Sequence, residues 1–550
     1  MSIGTFDIEA KEWNNIYAIG YYINNEATIF KDKLKDNNSY IKVFLDAIPE
    51  GTYYAHNGAR YDFLFILDFL CKNNINPSII FIHNSPVKLS FIYDKKHIEF
   101  RDSLKILPHN LKKLTYSFNV EHKKLSLDYE LGIDDKNFDE YFKNDLLGLY
   151  EVLMQCDLTD KLTIASNCMN IYTNKFYKNK YGKMTRNNNS IDKFFRGSYY
   201  GGRVELVKRY GLNLNYYDIN SLYPFVMREF EYPLPIKNNY EYADKLYKDK
   251  LGIYYAKIKT PNINIPLLPY RLDKKLIFPI GTFEGIYTSK ELIKAQALGY
   301  NIKIINGYTF KETDFIFKDY VEYYYNVKKN SEGAKREIAK LMLNSLYGKF
   351  GQKRLFNDIE LINIKDFKKD IMYSNVVNDY ILKSKESYNK YAQFLHSEIA
   401  SLITSNARLY LYSFIEKCGF DNIYYYDTDS IITNKSLNTS NELGDMKQEN
   451  EIKEFIGLGA KLYAYTNNKG EQVIHSKGFK DLSYSAFESA IEGDYSKINS
   501  KFCGLSSFKT SFVRHRTSFT TINTIERHIN ANYDKRVVKG NNTEPIIILK

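Results

Sequence analysis

The chain has 550 residues, 44% of them hydrophobic, and a formal net charge of +12 from 77 basic and 65 acidic side chains. A chain of this length can bury several cores, and the mean hydropathy of −0.44 is typical of a soluble globular protein. No apolar run approaches the length of a membrane span, so we expect no membrane partner. The five cysteines lack paired spacing, which argues against a disulfide framework or a zinc site. The positive net charge fits a polyanionic partner.

Four carboxylates of the N-terminal region fall on predicted strands and helices. Alternation in the first residues predicts a strand that places Asp7 and Glu9 on one face. Asp62 falls in the first turn of a predicted apolar helix. Further on, Tyr141 and Asp145 lie four residues apart on one face of a predicted helix. Each acid alone is explained as an ordinary surface carboxylate. Together, the four acids and the tyrosine hydroxyl suit two-metal hydrolysis of a phosphodiester.

Two segments in the middle of the chain favour contacts between backbone and phosphate. The paired glycines Gly201 and Gly202 allow a phosphate chain to approach the backbone closely, although a plain loop explains them equally. A predicted strand ends at Asp218, and a Ser-Leu-Tyr-Pro turn follows at 221–224. Backbone N–H groups of such a turn can hold a triphosphate.

A helix with one polar stripe is predicted to begin near Ser331. Lys340, Asn344 and Tyr347 fall at positions i, i+4 and i+7 of this helix, on one continuous face. A lone lysine on a helix is usually only solvated, but the spacing Lys-x-x-x-Asn-Ser-x-Tyr-Gly is more specific. Lys328, just before this helix, is a second candidate for contact with phosphates.

Asp427 and Asp429 are predicted to lie at the tip of a tight β-hairpin. β-forming residues flank the Asp-Thr-Asp segment on both sides, so the two carboxylates can face one side. Carboxylates this close repel each other unless a cation lies between them, and Mg²⁺ suits their oxygen ligands. A solvated turn is the alternative explanation of the same residues.

The N-terminal segments resemble the three motifs of the 3′–5′ proofreading exonuclease of family B DNA polymerases: Asp7-Ile8-Glu9, Asn57 to Asp62, and Tyr141 to Asp145. The resemblance implies an RNase-H-like domain in which Asp7, Glu9, Asp62 and Asp145 are metal ligands and Tyr141 orients the water. It also implies that the single-stranded 3′ end contacts Asn57, Tyr61, Ser103 and Leu104. Ala10 departs from the family, which usually has threonine there; the metal ligands are unaffected.

The later segments resemble the polymerase motifs of the protein-primed branch of that family, in the expected order. The resemblance implies two Mg²⁺ ions per active site, replaceable by Mn²⁺, bound by Asp218 and Asp429 with Asp427 as ligand or support, while Lys340 assists the leaving pyrophosphate. The implied nucleotide-binding residues are Ser221, Leu222, Tyr223, Lys328, Lys340, Asn344 and Tyr347. The implied DNA-binding residues are Tyr199, Gly201, Gly202, Thr428, Lys461 and Tyr463. Tyr223 would exclude a ribose 2′-hydroxyl.

The resemblance covers nearly the whole chain and implies an α/β (α+β) protein: an RNase-H-like exonuclease followed by a right-hand polymerase of palm, fingers and thumb, with two insertions. The expected units are the exonuclease domain (1–164), first palm part with the Tyr-x-Gly-Gly linker (165–229), first terminal-protein-region insertion (230–316), fingers (317–351), second terminal-protein-region insertion (352–397), second palm part (398–493) and thumb (494–550).

We therefore expect a monomeric, protein-primed DNA-directed DNA polymerase with proofreading and strand displacement, whose partners are template, primer strand and dNTPs. Met1 lies six residues before Asp7, so we expect the terminal protein to be a separate partner or a removed segment. The alternatives are a nucleic-acid-primed family B enzyme, a reverse transcriptase or RNA polymerase, and an inactive DNA-binding protein. The motif Tyr-Gly-Gly-Arg-Val-Glu at 200–205 favours a linear mitochondrial plasmid as the origin. The bacterial cytoplasm during phage infection is the other location.

Overall fold

In the computed structural model, the described residues are 2–31, 34–82, 85–128, 131–353, 355–366, 373–377, 380–388, 394–513, 518–528 and 533–549. They form two seven-stranded sheets, one five-stranded sheet and several smaller ribbons, joined by helices. Among these residues, no helix combines the length and the apolar character needed to cross a bilayer.

The N-terminal sheet carries the first group of predicted acids. Its first strand in the chain, Ile3–Lys11, pairs parallel with Gly51–Ala55 and antiparallel with Asn15–Ile23. Phe6 and Ile8 point into a core packed by helix Asp62–Lys72, so the intervening Asp7 and Glu9 face the other side. The strands follow the order Glu26–Phe30, Asn15–Ile23, Ile3–Lys11, Gly51–Ala55, Lys96–Asp102, Ser85–Tyr93, Ser78–Ile82. The helices of this unit are Asn37–Ala47, Asp62–Lys72, Leu111–Ser117 and Phe138–Cys156.

The second seven-stranded sheet is antiparallel and carries the second group of acids. Its order is Gln472–Ser476, Leu462–Asn467, Met446–Gly459, Tyr210–Ile219, Ser430–Thr433, Ile423–Asp427, Val204–Leu206. The 22-residue helix Ser397–Cys418 covers one face, because nearly all of its first twelve residues are buried. Helices Leu222–Glu229 and Tyr484–Ile491 complete this unit.

A five-stranded sheet takes four of its strands from the stretch of chain between two strands of the second sheet, Tyr210–Ile219 and Ile423–Asp427, and the fifth from the C-terminal segment. Its strands follow the order Glu241–Ala243, Asn301–Thr309, Gly252–Lys259, Ile280–Thr288, Ile547–Leu549. Helix Ser289–Ala297 begins with a capping box, in which Thr288 and Glu291 satisfy each other's backbone N–H groups. The ribbons Tyr270–Leu272 with Lys275–Ile277, and Tyr232–Pro233 with Thr313–Asp314, flank this sheet.

The predicted polar-striped helix is shorter than the sequence indicated. It spans Gly333–Ser345, and a separate short helix, Tyr347–Phe350, follows after a break at Leu346. Helix Lys318–Asn330 packs beside it. Helices Ile164–Ile171, Lys178–Tyr181 and Asn189–Gly197, with a π-helical turn Tyr172–Tyr177, connect the first sheet to the second.

The C-terminal residues 494–549 pack in two different places. Strands Asn499–Leu505 and Ile522–His528 form a ribbon, and the adjoining Phe508 and Phe519 pack into the core of the N-terminal unit. From residue 533 the chain returns towards the second sheet, where the ribbon of Arg536–Lys539 and Asn542–Pro545 bridges to Lys208 through Asn542. The strand Ile547–Leu549 then joins the five-stranded sheet beside Ile280–Thr288. The segment predicted as a thumb, 494–550, is therefore not one compact unit. The predicted second insertion contributes the strands Leu355–Asn363, Tyr373–Val377 and Tyr380–Tyr388.

Candidate active sites

The first candidate site lies where the strand Ile3–Lys11 meets two helices. One carboxylate oxygen from each of Asp7, Glu9 and Asp145 lies within 4.8 Å of the others. Asp62, the first residue of its helix, accepts a hydrogen bond of 3.0 Å from the Ile8 backbone N–H. The four acids predicted from separate stretches of sequence are thus brought together.

Burial is the main reason why these carboxyls have raised pKa values. It raises the pKa of Asp62 to about 8, and it raises the pKa of Asp7 well above its usual value, with repulsion from the neighbouring acids adding to the effect. Burial also raises the pKa values of Glu9 and Asp145. Among the described residues, the buried Asp145 Oδ1 has no hydrogen-bond partner. Mutually repelling carboxylates with such an oxygen form a donor set that fits a divalent cation.

Lys124 is a member of this site that the sequence analysis missed. Its Nζ donates to Asp145 Oδ2 and, at 3.0 Å, to the hydroxyl of Tyr141, which in turn donates to Glu9 Oε1 at 2.8 Å. Burial alone lowers the pKa of Lys124, but Asp145 and Asp7 outweigh burial and hold that pKa above its usual value. Lys124 is the second lysine of the pair Lys123-Lys124, which lies in a segment without regular structure. Only the three-dimensional contact therefore identifies it.

The residues predicted to bind a single-stranded end surround Asp102. Asp102 Oδ1 accepts from the backbone N–H groups of Asn57 and Leu104, each at 3.0 Å, and so joins the two predicted segments. Asn57 has a left-handed backbone with φ of +68°, and its Oδ1 has no hydrogen-bond partner among the described residues. Tyr61 packs edge-on against Phe65 beside the acids.

Ser103 differs from its prediction as a DNA contact. Its side chain is fully buried, donates to the Ala55 carbonyl at 3.1 Å and lies 3.0 Å from His56 Nδ1. The hydroxyl therefore supports the loop from inside. His56 in turn lies 2.8 Å from the His109 carbonyl, and burial lowers its pKa to about 4.

The second candidate site lies at the aspartate hairpin, which we define as residues 423–433. Strands Ile423–Asp427 and Ser430–Thr433 are joined by a two-residue turn, Thr428 and Asp429, in which Thr428 has φ of +60°. Ser430 pairs with Asp218 on the neighbouring strand, and the Ile219 N–H donates to the Asp429 carbonyl at 2.7 Å. The predicted meeting of Asp218 with the hairpin tip is thus present.

The two hairpin aspartates have different surroundings. Lys461 Nζ lies 2.9 Å and 2.6 Å from the two carboxylate oxygens of Asp427, which also accept from Tyr425 and Thr428. Asp218 and Asp429 lie close enough to interact, since repulsion from Asp429 contributes to the raised pKa of Asp218. Asp427 is thus neutralised by Lys461, while Asp218 and Asp429 form no ion pair with any described residue, and we call these two the free pair.

Burial and repulsion from neighbouring acids raise the pKa values of both carboxyls of the free pair. Burial, followed by repulsion from Asp429, raises the pKa of Asp218 to about 7. Burial, followed by repulsion from Asp427, raises the pKa of Asp429 to about 6. Two carboxyls that resist joint ionisation at neutral pH form a donor set that a divalent cation would stabilise.

A helix N-terminus and two tyrosines border the free pair. Helix Leu222–Glu229 starts at Ser221, which has φ of +55° and whose side chain makes no capping hydrogen bond. Its first N–H groups therefore remain available to an anion. The Leu222 side chain is buried, so only its backbone can serve the predicted nucleotide contact. Tyr223 and Tyr347 stack with centroids 4.4 Å apart and planes at 12°.

Three cations gather beside this helix start. Lys328 Nζ donates to Ser221 Oγ at 3.0 Å, and burial, then Arg336 and Lys340, lower its pKa. Arg336, which the sequence analysis missed, stands one helical turn before Lys340 on the same exposed stripe as Asn344. That i, i+4 spacing was the sequence signal that would have found it.

The Tyr-x-Gly-Gly loop contacts the aspartate hairpin directly. A Cβ added to Gly202 would lie 2.7 Å from Thr428 Oγ1, so only glycine fits this position without a shift. Arg408 Nη1 binds the carbonyls of Tyr200 and Gly201 at 2.8 Å and 2.9 Å. Gly201 itself is exposed, with open space where a side chain would stand.

Two predicted DNA-binding tyrosines are less accessible than expected. Tyr463 is 4% exposed and stacks on His475 with centroids 4.5 Å apart, so its ring faces the protein. Tyr199 is half-buried against Gly351. Lys461, by contrast, keeps 43% of its side chain exposed beside the free acid pair.

Comparisons with known proteins agree with this architecture. A sequence-family model described as "DNA polymerase type B, organellar and viral" matches residues 48–145 and 135–439. A "Probable DNA polymerase" of Neurospora intermedia is 28% identical over 83% of this chain and 56% of its own length. The "DNA polymerase" of Bacillus phage Nf is 28% identical over 61% of each chain. The chain spans about half the length of the first fungal relatives that it matches.

Solved structures share the fold. Phi29 DNA polymerase, in its complex with primer-template DNA and incoming nucleotide substrates, superposes with a TM-score of 0.76 and 19% identity. The match covers 96% of this chain and 100% of that one. The predicted fold class, a mixed α/β exonuclease–polymerase architecture, is thus confirmed. The family model alone covers well over half of the chain, and the chain belongs to the organellar and viral type B DNA polymerases.

Proposed function

We propose that the chain is a DNA-directed DNA polymerase that adds deoxynucleotides at the aspartate hairpin and removes them at the N-terminal acid cluster. The observation that carries the proposal is the meeting of Asp218 and Asp429 beside the cations Lys328, Arg336 and Lys340. Negative groups that need a cation, next to positive groups that need an anion, match a nucleoside triphosphate bound with a divalent metal.

In this proposal the cations and the free N–H groups at Leu222 hold the triphosphate. The stacked rings of Tyr223 and Tyr347 separate to admit the base and sugar. Tyr223, held near the sugar, excludes a 2′-hydroxyl and so selects deoxynucleotides. Lys461, which neutralises Asp427, leaves the other two aspartates as the free pair.

Asp218 and Asp429 would hold the two Mg²⁺ ions of synthesis, with Mn²⁺ able to replace them. When bound, such ions supply charge neutralisation and activate the attacking hydroxyl. The N-terminal acids, Asp7, Glu9, Asp62 and Asp145, would hold those of 3′–5′ degradation. There Tyr141 orients the water through its hydroxyl, and the ammonium group of Lys124 keeps that hydroxyl and one carboxylate in place.

We further infer that synthesis starts on a terminal protein that supplies the priming hydroxyl, and that the enzyme displaces the non-template strand. Support comes from the five-stranded sheet between the two parts of the second sheet, the position of the first insertion in the protein-primed branch. The fungal and phage relatives support a mitochondrial linear plasmid or a phage-infected bacterium as the location. We also propose that the enzyme acts as a monomer.

Two reciprocal variants test the assignment of the two sites. Asp429→Ala should abolish primer extension and retain primer degradation, because only the free pair at the hairpin is lost. Asp7→Ala with Glu9→Ala should do the opposite. Normal extension by Asp429→Ala would refute the proposal. For priming, the test is transfer of dNMP to a candidate terminal protein without any oligonucleotide primer.

A further inference from the structure

The edge strand Val204–Leu206 pairs with the first strand of the aspartate hairpin. It is the last strand of the second sheet, and it pairs Val204 with Asp427 and Glu205 with Tyr426. Just before it, the Arg203 carbonyl accepts a hydrogen bond of 2.7 Å from the N–H of Thr428 in the turn. A displacement of this strand must therefore displace the turn that holds Asp429.

Glu205 is a fully buried carboxylate between two fully buried arginines. Arg203 donates to Glu205 Oε2 through Nε at 3.1 Å and Nη2 at 2.8 Å, and the Tyr426 hydroxyl donates to the same oxygen. Arg536 Nη1 lies 3.6 Å from Glu205 Oε1. Arg536 comes from the C-terminal segment, more than three hundred positions later in the chain.

The C-terminal segment 533–545 covers the outer edge of the same strand. The Leu206 N–H donates to the Tyr533 hydroxyl at 2.9 Å, and Thr543 Oγ1 donates to the Leu206 carbonyl at 2.6 Å. Lys535 Nζ donates to the Val204 carbonyl at 3.2 Å. Side chains thus occupy hydrogen-bonding groups that an edge strand would otherwise leave open.

A buried ion pair adds little stability compared with apolar residues of the same volume, because desolvation offsets the attraction. Its directed hydrogen bonds do fix geometry. Glu205 accepts hydrogen bonds from Arg203, whose carbonyl holds the turn, and from Tyr426, which precedes Asp427. It also faces Arg536 of the C-terminal segment. These three links converge on one side chain.

We propose that Glu205 is a positioning residue of the polymerase site: with the C-terminal segment 533–545 it fixes the strand Val204–Leu206 and thereby the turn that carries Asp429. The inference rests on the proposed function. It assigns to the end of the chain a part in building the synthetic site, whereas the degradation site lies on a separate sheet.

The test compares Glu205→Gln with the matched control Glu544→Gln. Glu544 lies in the same segment, but its side chain is 52% exposed and pairs on the surface with Lys539. We expect Glu205→Gln to slow single-turnover primer extension about a hundredfold, the cost of misplacing reacting groups by about 1 Å. The Mg²⁺ concentration for half-maximal extension should rise, while primer degradation and the control stay at wild-type values.

Wild-type extension and Mg²⁺ dependence in Glu205→Gln would overturn the inference, as would equal losses of extension and degradation in a folded variant. If Glu205→Gln does not fold, Tyr426→Phe, which removes one hydroxyl, must slow extension and raise the Mg²⁺ requirement; no effect on either overturns the inference. A wild-type chain unable to extend a primer would refute the proposed function instead, so the two failures are distinguishable.

Discussion

Mg²⁺ binding at the hairpin should be strongly pH-dependent between pH 8 and pH 6. Burial, with repulsion between neighbouring acids, raises the pKa of Asp218 to about 7 and that of Asp429 to about 6. Protons and Mg²⁺ compete for these carboxylates, so acidification weakens metal binding. Each carboxyl multiplies the half-saturating Mg²⁺ concentration by a competition factor, which equals one plus ten to the power of pKa minus pH. At pH 6 this factor is about 11 for Asp218 and about 2 for Asp429. At pH 8 both factors are near one, so the half-saturating Mg²⁺ concentration should rise about twentyfold at pH 6.

The same shifts set the sign of a stability effect. Both folded pKa values lie above the usual 3.8, so the contribution of these carboxyls to stability is fully present below about pH 4. It is lost as the pH rises through about 6 and 7. Without metal, Asp218 and Asp429 therefore destabilise the fold above pH 7, where added Mg²⁺ should raise the melting temperature most.

The assay uses the Asp7→Ala/Glu9→Ala variant, so that degradation does not consume the primer. Extension of a labelled primer is measured at fixed dNTP over a range of Mg²⁺ concentrations at pH 6, 7 and 8. The half-saturating concentration, rather than the maximal rate, is compared, because deprotonation of the attacking hydroxyl also changes the rate. A change smaller than about twofold between pH 8 and pH 6 would refute the linkage argued from the burial of Asp218.

Three further predictions concern single side chains. Lys124→Ala should reduce primer degradation about a hundredfold and leave extension intact, since the ammonium group aligns Asp145. In a gel assay of primer degradation, Lys124→Arg should recover part of the rate. Gly202→Ala should slow extension but not degradation, because its methyl group would lie 2.7 Å from Thr428 Oγ1; a wild-type extension rate contradicts this. Tyr223→Val should increase ribonucleotide incorporation in competition assays, and unchanged discrimination would remove Tyr223 as the selecting residue.

Local sequence patterns predicted the elements that carry the sites. The alternation around Asp7, the i, i+4 pair Tyr141 and Asp145, and the short turn before Ser430 each depend on neighbours a few residues away. Helix Gly333–Ser345 ends earlier than predicted, and a short helix, Tyr347–Phe350, follows; the helical period of the sequence does not mark the interruption at the buried Leu346. The sequence pattern likewise did not show that the side chains of Ser103 and Tyr463 are buried, and their DNA contacts stay predictions.

The sequence by itself determined which acids occur, their order and the short elements that bear them, because strand and helix periods are local. Only the tertiary structure decided how they combine. It placed Lys461 on Asp427 and Lys124 on Asp145, so that each site contains one acid neutralised by a lysine. It also returned the C-terminal segment to Glu205. The partners in these contacts lie from 21 to more than three hundred positions apart, which is beyond the reach of helix and strand periods. The burial that raises the pKa values is set by tertiary packing.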